Sequence, residues 1–195
     1  LVAGFAIHHN DMDWFAMSYE MTVTDENGIS SVTEIDLILY DKEISNFAFV
    51  EVENVPITSE NFIQQSTEYA NQIKTTMDFL ESRTVDGQIN LRNGPFVESA
   101  DLAMIVLVFH GETQNLIDMD SLSHALKSKL EDLEATEYPV LLVWEDHLGN
   151  VYYDCVVGCN EESLTEEYLK ATACGMLGKE SDCGATNADD IVFQN

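Results

Sequence analysis

Four of the five histidines stand where an apolar run gives way to polar residues. His8 and His9 follow Val2 to Ile7, His110 follows Leu102 to Phe109, and His147 follows Pro139 to Trp144. Each has acidic company: Asp11 and Asp13, then Glu112, then Glu145 and Asp146. Imidazole and carboxylate together ligate Zn2+ and related divalent ions, and oxygen ligands suit Ca2+. A site drawing on His8, His9, Asp11, His110, Glu112, Asp146 and His147 would hold such a metal and activate a water for hydrolysis. No local ligand spacing of the His-Glu-x-x-His kind is present, so this chemistry needs three separate loops to converge. The same residues also read as ordinary strand ends, because in so acidic a chain almost every residue has a carboxylate nearby. His124 reads as a solvated helical residue.

The phrase Val108-Phe109-His110-Gly111-Glu112 resembles the catalytic-histidine turn of caspase-like cysteine peptidases, and Cys155 follows His110 by 45 positions. The resemblance covers one strand and one turn and implies a dyad of His110 and Cys155. In that family the nucleophile ends the next strand, after Gln-Ala. Here that strand ends in Glu145-Asp146-His147, and Cys155 falls inside the returning strand. A nucleophilic cysteine also needs a lowered pKa, which neighbouring carboxylates oppose.

The elements that must position these residues are legible from periodicity. Val2 to Ile7 reads as a short buried strand. Trp14 to Thr24 alternates, with Phe15, Met17, Tyr19, Met21 and Val23 on one face, and Asn27-Gly28 supplies a hairpin turn into a partner strand from Ile29 to about Tyr40. Asn46 to Val55 completes an antiparallel meander. Thr58 or Ser59 is placed to cap a helix reaching about Arg83, whose Phe62, Ser66, Tyr69, Ile73, Met77 and Leu80 form one stripe. Residues 84–99 read as a loop with a weak strand near Ile89. The runs at 102–109 and 139–144 flank a helix over 120–134, a βαβ unit with parallel strands. A hairpin returns through Val151 to Val157, and Ser163-Leu164-Thr165-Glu166 matches a capping box for a last helix ending at Gly178. Ile191 to Phe193 is placed to pair on a sheet edge or to remain loose. The expected fold is α/β or α+β in one domain over residues 1–195: a mixed sheet with an N-terminal antiparallel meander, a central βαβ unit and about three covering helices.

Charge bounds the function. There are 36 Asp plus Glu against 8 Lys plus Arg, a net charge of -28. Direct binding to nucleic acid is excluded by the shortage of clustered cations, and no apolar run reaches the roughly 20 residues of a membrane span. Such a surface suits solubility in a saline or extracellular setting, divalent-cation binding, or mimicry of nucleic acid before a basic protein. Cys155, Cys159, Cys174 and Cys183 all lie in the last quarter of the chain. Their spacing departs from zinc knuckles and fits one or two disulfides of an oxidising compartment, with connectivity open. The chain begins at Leu1, so a removed signal or anchor is not readable from it. Dinucleotide, Walker, nucleophile-elbow and EF-hand motifs are absent. The expected function is an exported acidic binding or assembly module that meets cations, a basic protein partner or its own copies. The alternatives are a metal-dependent hydrolase using Zn or Ca at the strand ends, and a nucleic-acid mimic.

Overall fold

A computed structural model describes residues 12–24, 28, 30–41, 45–86, 88–91, 99–110, 114–159, 164–179 and 183–191. The Val2 to Ile7 strand, with His8, His9, Asp11 and Glu112, lies outside the described residues.

The long alternating segment forms β1 (Met12–Thr24), paired antiparallel with β2 (Ser30–Asp41) from Met12↔Asp41 to Thr24↔Ser30. Gly28, between them, takes φ +79°, the left-handed region that a turn glycine reaches without strain. β3 (Asn46–Glu53) is antiparallel to β2 and parallel to β7 (Leu102–Phe109), so the meander and the central sheet are one sheet. β8 (Val140–Glu145) continues parallel to β7, and β9 (Val151–Val157) returns antiparallel. A two-residue β10 (Thr186–Asn187) ends the order β1-β2-β3-β7-β8-β9-β10. Thr186 and Asn187 pair parallel to Tyr152 and Tyr153, and the edge strand expected near Ile191 to Phe193 lies mostly outside the described residues. A small second sheet, β4 (Thr84–Val85), β5 (Gln88–Asn90) and β6 (Ser99–Ala100), begins and ends the expected loop, with β5 at the weak strand expected near Ile89.

Among the described residues three α-helices cover the large sheet. α1 (Phe62–Arg83) crosses from β3 towards β7, and α2 (Leu116–Asp132) crosses from β7 to β8. Both share one core with Phe47, Phe49, Leu107, Phe109, Leu142 and Trp144. α3 (Glu166–Met176) packs on the opposite face with Ala48, Val50, Met104, Val106, Val108, Leu141 and Val143. Burial on both faces explains why β7 and β8 are unbroken apolar runs, whereas alternation marks a strand with one wet face.

The helix starts differ from the expected caps. α1 begins after Asn61, whose side chain instead accepts the Thr58 amide at 2.8 Å. α2 begins four residues earlier than 120, because Asn115 accepts the Ile117 amide at 2.9 Å. α3 is capped by Thr165, which accepts the Tyr168 amide at 3.2 Å. Ser163 of the expected capping box lies outside the described residues.

Candidate functional site

Three neighbouring parallel strands, β3, β7 and β8, end along one edge, with Glu53, Phe109 and Trp144 in one register row. Loops at the carboxyl ends of such strands are free of core packing yet held rigidly, which is why ligands collect there. One residue fastens all three, through its side chain and its backbone amide. Buried Gln114 accepts the Ile57 amide at 2.9 Å, donates to the Val55 carbonyl at 3.3 Å, and donates its own amide to the Glu145 carbonyl at 3.0 Å. The His110 amide adds a bond to the Glu53 carbonyl at 2.8 Å.

At the β3 end of this edge, carboxylates gather under α1. Alternation along β3 turns Phe47 and Phe49 towards the helices and carries Glu51 and Glu53 onto the same side. Glu51 is buried and takes a hydrogen bond from the Gln72 side chain of α1. Asp36 of β2 accepts the Val52 amide at 2.8 Å, just beyond the last β2–β3 pair, Leu37↔Val50. Burial, then the charge of Asp36, pushes the Glu51 carboxyl up to about 8. Burial also raises Glu53, opposed by Tyr69 and helped by Asp36 and Glu68. Tyr69, packed edge-on against Phe109 at 5.9 Å, is raised by burial and by Glu53. Its buried hydroxyl has the Glu53 carboxylate as its neighbour.

The histidines and carboxylates named from the sequence are placed as follows. His110 ends β7, exposed, and Asp146 and His147 form the turn after β8, so the parallel pair brings these three to the same edge. Asp146 is occupied within its own hairpin. Its two oxygens accept the Leu148 and Asn150 amides at 2.8 and 3.0 Å, the Asn150 side chain at 2.9 Å and the Tyr152 hydroxyl at 3.2 Å. Burial pushes its carboxyl up, but the Asn150, Leu148 and Tyr152 donors outweigh that and hold it below the usual range. Among the described residues, no three His, Cys, Asp or Glu side chains are grouped so as to hold a metal ion. His124 is solvated on α2, its Nδ1 within 2.9 Å of the Asp120 carbonyl.

The cysteines form two disulfides, Cys155–Cys159 and Cys174–Cys183, an arrangement in keeping with an oxidising compartment. Cys155 therefore carries no free thiol. It sits within β9 opposite Leu141, away from the strand ends, so the dyad implied by the caspase-like turn is not formed. Among the described residues no helix is long and apolar enough to cross a membrane.

Glu51, Glu53, Tyr69 and Gln114 were not singled out by sequence reasoning. For the two glutamates a signal was available: Phe-x-Phe-x-Glu-x-Glu along a strand puts two carboxylates on a core-facing side at a strand end. Gln114 carries no such signal, since nothing local marks an amide that bonds residues 57 positions away.

No protein-family model matches the chain, and no curated protein does. Among solved structures it is similar to that of SfsA from Pyrococcus furiosus in complex with Ca2+, at 11% identity and a TM-score of 0.24. The similarity covers 74% of this chain and 53% of that one, so the chain spans about half that protein's length. At that TM-score the likeness supports nothing about fold or function here.

Proposed function

We propose that this protein is an exported acidic binding module that engages a basic polypeptide or other cations at the carboxyl edge of its sheet. One observation carries the reading: Asp36, Glu51 and Glu53 gather at the end of β3 with no Lys or Arg paired to them among the described residues. Among the described residues, the lysines that pair do so elsewhere, Lys74 with Asp78, Lys170 with Glu166, and Lys179 with Glu145 and the Gly149 carbonyl. A cation arriving there is attracted by Asp36 and Glu53 and favours release of the proton that burial holds on Glu51. Three exposed apolar side chains, Ile63, Ile117 and Leu148, stand on the segments that follow β3, β7 and β8, giving the same edge apolar contacts. Fluorescence anisotropy of a labelled peptide alternating lysine and leucine tests this. Binding that weakens with added salt and fails when the lysines are replaced by glutamate supports the reading; equal binding of both peptides, or none at low salt, refutes it.

The second reading, a metal-dependent hydrolase, rests on the placement of His110 beside the Asp146-His147 turn at one edge. Elemental mass spectrometry of protein purified without chelator, repeated on His110→Ala, tests it. A stoichiometric transition metal lost in the variant favours this reading, and its absence from the intact protein removes it.

A further inference from the structure

The two disulfides are held in different surroundings. Cys174 lies on α3 and is fully buried, and its bond to Cys183 closes a sequence separation of 9. Cys155 and Cys159 are both only half-buried, and their bond closes a separation of 4. A partly exposed disulfide is within reach of an attacking thiolate, and closing a short loop restrains the unfolded chain least. Cys155–Cys159 therefore combines access with a small cost of opening. We propose that Cys155–Cys159 is a redox-active pair, opened and reclosed by an external dithiol while the fold stands, with Cys174–Cys183 as the structural bond that stays shut.

The backbone around the pair is fixed without the bond. Cys155 stands opposite Leu141 in the β8–β9 ladder, and Val157 stands opposite Val140. Gly158 then turns the chain at φ +76°, so close to Pro139 that a Cβ there would meet the Pro139 nitrogen at 2.9 Å. Ladder and turn keep the two sulfurs neighbours after reduction, so that reclosure needs no long loop to be gathered. An acceptor for the reduced form is also in place. The Val157 carbonyl oxygen lies 3.5 Å from Cys155 Sγ and 3.7 Å from Cys159 Sγ. A disulfide sulfur has no hydrogen to donate and a thiol has one, so only the dithiol form uses that oxygen. In the exchange, one thiolate of the external dithiol attacks a sulfur of the pair, forming a mixed disulfide and releasing the other cysteine as a thiolate that takes up a proton. The second thiol of the reductant loses its proton and displaces the remaining protein sulfur. The protein then holds two thiols, and the reductant leaves oxidised as a disulfide. Opening unties Cys159 from β9 and releases the start of the connection to α3, while Cys174–Cys183 still holds the end of that helix.

The full chain, equilibrated in buffers of graded reduced-to-oxidised dithiothreitol ratio and then alkylated, tests this. Cleavage after Lys129 and Lys170 puts Cys155 and Cys159 on one peptide and leaves Cys174 and Cys183 beyond it, so mass spectrometry counts the pairs separately. Cys155 and Cys159 are expected to take up label at a ratio lower by roughly tenfold or more than the other pair. Near-UV circular dichroism should hold over that range, and return to oxidised buffer should restore the unlabelled state. Hydrogen exchange in the reduced form should quicken at Gly158 and Cys159 but not at Leu141 or Val143. Cys155→Ser combined with Cys159→Ser should fold with a wild-type near-UV spectrum. Opening of both pairs at one ratio, earlier opening of Cys174–Cys183, loss of the near-UV signal with the first label, unchanged exchange at Gly158 and Cys159, or a double variant that does not fold would overturn the proposal.

Discussion

The side chain of Gln114 accepts the backbone amide of Ile57 at 2.9 Å, bonding the loop after β7 to the loop after β3. Both groups are buried, so each replaces a water that is not there. The Gln114 backbone amide also reaches the Glu145 carbonyl, so the segments after β3, β7 and β8 are tied to one another, and exposed Ile63 and Ile117 stand on them.

Gln114→Ala should therefore destabilise the protein by about 1–3 kcal/mol, since it strands the Ile57 amide and the Val55 carbonyl. Urea denaturation measures the loss. Faster hydrogen exchange confined to the amides near 57 and 117 would show that the edge has loosened. A variant as stable as wild type, with unchanged exchange, would mean that Gln114 fastens nothing.

Glu51 predicts an unusual pH dependence. Its carboxyl, pushed up to about 8 in the folded protein by burial and Asp36, titrates near 4.5 when unfolded. Between those values the folded form holds a proton that the unfolded form has lost. The stability it contributes is complete below about 4.5 and falls away as pH rises to about 8. Wild type should thus lose more stability than Glu51→Gln between about pH 5 and about pH 8.5. Parallel stability curves for the two proteins would contradict the account.

Asp146 predicts the opposite sign. Burial works against its charge, but the four donors of its hairpin outweigh that and hold its carboxyl low. Its contribution is present above the unfolded value of 3.8 and is lost as pH falls through the lower folded value. Asp146→Ala should cost about 1–3 kcal/mol near neutral pH, and less in acid. Equal cost at both pH values, by thermal or urea midpoint, would show that the carboxylate is not the acceptor that organises the turn.

The Cys174–Cys183 pair ties the end of α3 to the segment leading into β10, closing a sequence separation of 9. Replacing both cysteines by alanine should cost about 2–4 kcal/mol, and reductant should have no further effect on the variant except through Cys155–Cys159. Denaturation with and without reductant, in wild type and variant, checks both statements.

The fold was legible where periodicity was unambiguous. The alternation of Trp14 to Thr24 and the unbroken runs at 102–109 and 140–145 became strands, and the runs are unbroken because β7 and β8 are covered on both sides. β3 was legible as a strand, but not its double role as antiparallel neighbour of β2 and parallel neighbour of β7, because pairing depends on partners far away in sequence. The helix caps were displaced because several Ser, Thr and Asn residues near each start compete, and tertiary contacts choose among them. For the candidate site, the strand-end rule pointed to the edge where β7 and β8 end, beside His110 and His147. It missed Glu51 and Glu53 because attention to imidazoles passed over carboxylates on a strand's inner face. It could not anticipate that Asp146 is engaged by its own hairpin, a matter of backbone geometry that residue types do not reveal.

The central claim is that the carboxyl edge, rather than the acidic surface at large, receives a basic partner. Amide shift mapping of the lysine–leucine peptide on the full chain tests it most directly. The account predicts saturable shifts concentrated at residues 52–61, 110, 114–118 and 145–149, the segments that surround the Gln114 bonds. Shifts spread evenly over the exposed carboxylates of α1, α2 and α3, with the edge no more affected than the rest, would contradict it.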